Sequence, residues 1–81
     1  MRLINAYILV SMQPGNSDKA IQDMRKIEHV EKISVVAGEF DIVIRVRVET
    51  LDELLQATNE IQMIPGIQKT TTQVIEKEIA L

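Results

Sequence analysis

The chain has 81 residues, 46% of them hydrophobic and 26% charged, with a net charge of −3 and no cysteine. A single domain of that length buries only about 60% of the surface its unfolded form exposes, and an apolar fraction this high excludes a disordered chain. The acidic balance and scattered basic residues argue against a nucleic-acid partner, whose affinity comes from clustered Lys and Arg, and the absence of cysteine excludes a disulfide framework and a thiolate metal site.

The first element runs from Arg2 to Met12, where Ile4, Ala6, Ile8 and Val10 alternate with Leu3, Asn5, Tyr7, Leu9 and Ser11. That period predicts a strand with one fully apolar face. The same stretch, "LINAYILVSM", is too short to span a bilayer and lacks a basic leader and a small-residue cleavage site, so a mature cytoplasmic protein is expected. Pro14-Gly15 ends the strand, and Asn16 or Ser17 is placed to cap a helix whose buried stripe is Ala20, Ile21, Met24 and Ile27. "EKISVVA" and "DIVIRVRV" are rich in β-branched residues, and the five or fewer residues between them predict a hairpin. Thr50 and Glu53 have the spacing of a capping box, which starts a second helix with Leu51, Leu54, Leu55, Thr58 and Ile61 as its inner stripe. Pro65-Gly66 stops that helix, and "IQKTTTQVIEKEI" reads as a long last strand.

Strand, helix, strand, strand, helix, strand is the order of an α+β, ferredoxin-like βαββαβ fold: a four-stranded antiparallel sheet with two helices on one face. A faint internal echo supports it, "IEHVEKI" from Ile27 against "IQMIPGI" from Ile61, each leaving a helix for a strand. Leu3, Tyr7, Leu9 and Val43 then share the opposite face with Asn5, Arg45, Arg47 and some of the threonines. That mixture is too apolar for open water and too polar for a dry core. A second sheet packed face to face, about 10 Å away, would bury it, and a core this small without covalent staples points to oligomerisation in any case.

Little in the chain suggests catalysis, and no catalytic residue, metal ligand set or cofactor is expected. His29 is the only histidine and reads as a surface or helix-terminus residue. Glu39 and Asp41 are an acid and base pair only by proximity, and the methionines read as gap-filling core residues. No glycine-rich phosphate loop is present.

The segment "ISVVAGEFDIVIRVRVETLDELLQATNEIQMIPGIQKTTTQVI" resembles the effector-binding domain of the Lrp/AsnC family of feast-or-famine regulators, the module called RAM. In that family a hydrophobic strand leads into a turn of glycine, an acidic residue, an aromatic and aspartate, as in Gly38, Glu39, Phe40 and Asp41. A second strand, a capped helix, Pro-Gly and a threonine-bearing last strand follow, here with Thr70, Thr71 and Thr72. The family's full members carry a helix-turn-helix domain ahead of this module; the sequence here starts at the first strand, so it resembles the stand-alone form and direct DNA contact is not expected.

The resemblance implies a single RAM-type domain over residues 1–81, a protomer whose sheets pair into dimers, and dimers that build octameric or decameric rings. It implies a small amino acid bound between dimers, its ammonium and carboxylate held by the backbone of the turn Gly38, Glu39, Phe40 and Asp41 and by the Asp41 side chain, with Thr70, Thr71 and Thr72 lining the same site. It further implies an amino-acid-sensing regulatory module, with full-length Lrp/AsnC-type regulators as partners through mixed assembly. Two alternatives stand beside it: an oligomerisation scaffold that binds no ligand, and a small dimeric ferredoxin-like enzyme.

Overall fold

Alternation along two strands decides which way every layer faces. The computed structural model describes residues 3–15 and 17–81 and contains β1 (Ile4–Met12), α1 (Ser17–Met24), β2 (Val30–Val35), β3 (Ile42–Val48), α2 (Leu51–Gln62) and β4 (Ile67–Val74). The strands form one antiparallel sheet in the order β2-β3-β1-β4. Ala6, Ile8, Val10 and Met12 of β1 lie beside Ile42, Ile44, Val46 and Val48 of β3, all buried beneath the helices. The expected βαββαβ architecture is present, with both crossovers on one face. Among the described residues no helix is long and apolar enough to cross a membrane.

Local signals set the helix ends. Thr50 Oγ1 accepts from the Glu53 amide at 3.1 Å, and Glu53 Oε1 accepts from the Thr50 amide at 3.2 Å, completing the expected capping box. The same Oε1 also accepts from the Glu49 amide at 2.7 Å. The cap expected at Asn16 lies outside the described residues; α1 begins with Ser17. Ile27 falls beyond the end of α1, yet its side chain still packs against the core.

Three expectations need correction. The inner stripe of α2 is Leu54, Ala57 and Ile61, continued by Ile64, whereas Leu51 and Leu55 are 62% and 61% exposed. At 3.6 residues per turn those two leucines lie about a quarter turn or more from the stripe's centre. The β2–β3 connection is six residues, Val36 to Asp41, rather than five or fewer. The last strand ends at Val74, short of the run through Ile79 that its composition suggested.

The internal echo is real but sits in a different register. Each helix passes to its strand through one tight turn. Val30 N–H donates to Ile27 O at 3.5 Å, and Ile67 N–H donates to Ile64 O at 3.3 Å. The third residue is left-handed in both, with φ of 76° at His29 and 93° at Gly66, as a type II turn requires. "IEHV" therefore matches "IPGI", with glycine in one copy and a strained histidine in the other.

With Ile44 fully buried and Leu55 exposed, Ile44→Ala should cost about 2–5 kcal/mol of stability, while Leu55→Ala should change it by less than about 0.5 kcal/mol. Denaturant unfolding of the two variants measures both; equal losses would contradict the assignment of the α2 stripe.

Candidate functional site

The connection "VAGEFD" is tied down at both ends. Val36 N–H donates to Asp41 O at 2.9 Å and closes the hairpin tip. Asp41 N–H donates to Val10 O at 2.9 Å, and Asp41 Oδ2 accepts from the Met12 amide at 2.8 Å. The β1–β3 ladder stops at Val10 and Ile42, so Asp41 continues it with its side chain and fastens the tip to β1. Gly38 has φ of 146°, and a Cβ built there would meet nothing within 4 Å; backbone conformation rather than lack of room selects glycine. Gly38, Glu39 and Asp41 are exposed and Phe40 is half-buried. Among the described residues, the amides of Gly38, Glu39 and Phe40 make no hydrogen bond within the chain.

The threonines divide between the two faces. Thr70 and Thr72 pair with Val10 and Ile8 on the helix side, where Gln62 Nε2 donates to Thr70 Oγ1 at 2.8 Å. Thr71 pairs with Leu9 on the uncovered side. Val10 separates Thr70 from Ile42, so the threonines stand two strand spacings, about 10 Å, from the end of the turn. One protomer therefore brings Gly38, Glu39, Phe40 and Asp41 together, but not with Thr70, Thr71 and Thr72.

The uncovered face carries a polar cluster centred on Arg45, whose side chain is only 16% exposed. Its guanidinium lies 5.6 Å from the centre of the Tyr7 ring, donates to Tyr7 Oη at 3.2 Å, and approaches Glu31 Oε1 at 3.4 Å. It also grips both carboxylate oxygens of Glu78, at 3.1 and 3.3 Å. Arg47 shares Glu31 at 3.4 Å and donates to Asn5 Oδ1 at 3.3 Å. A bulge between Val30 and Lys32 turns Glu31 toward these arginines. Together Tyr7, Val43, Arg45, Arg47, Glu31 and Glu78 border a shallow hollow of about 660 Å³, which neither the turn nor the threonines line.

Sequence reasoning placed Tyr7, Arg45 and Arg47 on this face but missed Glu31 and Glu78. Two arginines facing a strand end followed by "EKE" were a signal for the second. Nothing local announced the bulge that delivers the first. His29 approaches Glu53 Oε2 at 3.5 Å and belongs to no ligand cluster; among the described residues no group of three or more acidic, His or Cys side chains is placed to hold a metal.

Residues 5–80 match the Lrp/AsnC ligand binding domain. The chain belongs to that family. It is 26% identical over 72 residues to the HTH-type transcriptional regulator FL11 of Pyrococcus abyssi, covering 89% of this chain and 48% of that protein. The Lrp/AsnC domain here thus spans about half the length of the curated relatives it matches. The crystal structure of FFRP-DM1 is 30% identical, with a TM-score of 0.81 over 89% of this chain and 97% of that one. A feast or famine regulatory protein of M. tuberculosis, solved with L-methionine, is 25% identical, with a TM-score of 0.81 over 96% of this chain and 53% of its own.

Hydrogen bonding from the Arg45 guanidinium, reinforced by the charges of Arg45 and Arg47, holds the Glu78 carboxyl below its ordinary value of about 4.5. A carboxyl lowered on folding stabilises the native state above that ordinary value and ceases to do so as pH falls through the depressed one. Unfolding measured at stepped pH should therefore show the unaltered protein more stable than Glu78→Gln near neutrality, with the difference closing below pH 4.5. A difference independent of pH would contradict the pairing.

Proposed function

We propose that this Lrp/AsnC domain is a non-enzymatic, amino-acid-sensing regulatory module that assembles with copies of itself and completes its ligand site where copies meet. The observation that carries this reading is the hairpin tip, which is rigidly anchored yet holds unused donors and exposed carboxylates. Asp41 Oδ2 is taken by the Met12 amide, so Oδ1 is left to receive an ammonium group. The amides of Gly38, Glu39 and Phe40 are donors suited to a carboxylate. An α-amino acid presents both charges within one small molecule.

The relative solved with L-methionine supports this class of ligand. The distance between the turn and the last-strand threonines supports a site shared between protomers. A turn on one copy and Thr70, Thr71 or Thr72 on another can meet only through assembly. In that arrangement sheets pair face to face into dimers, and dimers join at their turns into octameric or decameric rings. Because the matched relatives are named as transcriptional regulators, mixing of protomers with full-length regulators is the route by which ligand state would reach a promoter. The module uses no cofactor in this role.

The bond from the Met12 amide to Asp41 also favours a second reading, a scaffold whose turn only joins copies. Asp41→Asn separates the two, because the amide oxygen still accepts from Met12 N–H while the charge that pairs with an ammonium is gone. Isothermal titration with the standard amino acids at millimolar concentration should give heat with at least one. Asp41→Asn should weaken that binding about tenfold or more, each tenfold being about 1.4 kcal/mol, in a protein that remains assembled. No heat with any amino acid would overturn the sensing role and leave the scaffold.

A further inference from the structure

β4 ends at Val74, but the chain does not leave the sheet there. Ile75 N–H donates to Asn5 O at 2.8 Å, and three residues later Glu78 reaches Arg45 on β3. From β4 to β3 is two strand spacings, about 10 Å, so beyond Ile75 the chain turns over the uncovered face to bring Glu78 to Arg45 instead of running on beside β1. Past Ile75 no backbone hydrogen bond holds this segment among the described residues, and its fixed point is the fork of Arg45 on Glu78. Ile79, just beyond that point, is 73% exposed, and Leu81 is fully exposed.

A second sheet approaching face to face meets this segment first. It can push the segment aside, which removes the carboxylate from a guanidinium already shielded by Tyr7 and Glu31 and leaves a desolvated, underpaired charge. Alternatively it can take the segment into the interface, which keeps the bidentate pair and covers Ile79 and Leu81. The second course preserves the polar pairing and also buries apolar surface. The charges agree, since Glu78 of the segment meets a face bearing Lys32, Arg45 and Arg47. In a two-fold dimer each copy offers the same segment and the same face.

We propose that residues 75–81 form an arm of the self-association interface. Glu78 latches the arm across its own sheet, and Ile79 and Leu81 pack on the sheet of a second copy around Tyr7, Leu9 and Val43. The proposal rests on the face-to-face pairing described above. Sedimentation equilibrium of the full chain carrying Ile79→Ser with Leu81→Ser tests it. The dimer dissociation constant should rise about tenfold or more, the loss expected when two aliphatic side chains are no longer buried. Thermal unfolding of the dilute monomer should not move, because both side chains are exposed in a single copy. Glu78→Gln should also weaken the dimer, and its effect should largely vanish in an Arg45→Gln background. A double serine variant that associates as tightly as the parent, or more tightly, overturns the arm alone; a parent that stays monomeric at every concentration overturns the face-to-face pairing and the arm with it.

Discussion

The two-residue period of β1 and β3 is the constraint on which the rest of the molecule depends. It sends Ala6, Ile8, Val10, Ile42, Ile44 and Val46 to the side that α1 and α2 cover, where all are fully buried. The same period sends Asn5, Tyr7, Leu9, Val43, Arg45 and Arg47 to the other side, which no helix covers. A slip of one residue in either strand would exchange the two sets, so the composition of the bare face follows from the requirements of the core. With a small core and no covalent staple, the chain gains most from covering that remaining face. Its ion pairs are already arranged for burial: Glu31 serves both arginines, and Glu78 comes across from the far edge to satisfy the less exposed of the two.

Structure and chemistry separate cleanly at the end of the sheet that holds the hairpin tip. Asp41 is a structural residue through Oδ2 and its own amide, which join the tip to β1. It is a candidate ligand residue through Oδ1. Because the carboxylate is anchored by one oxygen, the other is held in place without ligand, which reduces the ordering that binding must impose. The Pro65-Gly66 turn closes the same end of the sheet, where Gln13 N–H donates to Gly66 O at 2.8 Å. Thus a site placed there is set by strand ends rather than by a free loop.

Most of the fold was legible because its signals are local. Alternation in Ile4–Val10 and Ile42–Val48, the capping box at Thr50 and Glu53, and the Pro-Gly stop each involve neighbours within a few residues. What stayed illegible was set at long range or by exact angle. The Asp41 bond to Met12 spans 29 residues, and the turn's place beside β1 follows from the register of two strands. Leu55 looks like a core residue in a list of apolar positions, yet it stands away from the stripe that Leu54, Ala57 and Ile61 define. The division of Thr70, Thr71 and Thr72 between two faces was available from strand alternation alone; three consecutive residues cannot point the same way. Glu31 was hidden by a bulge, and Glu78 by a chain that turns across the sheet where its composition suggested that the strand ran on.

One residue can report on whether a second copy covers the face of the sheet opposite the helices. Tyr7 is the only tyrosine in a chain without tryptophan, and it lies on that face with 38% of its surface exposed in the single protomer. Its fluorescence, followed with a soluble quencher across a dilution series, should become shielded as the protein associates, in step with the rise in mass. Association that leaves Tyr7 as open to quencher as in the dilute monomer would contradict the account.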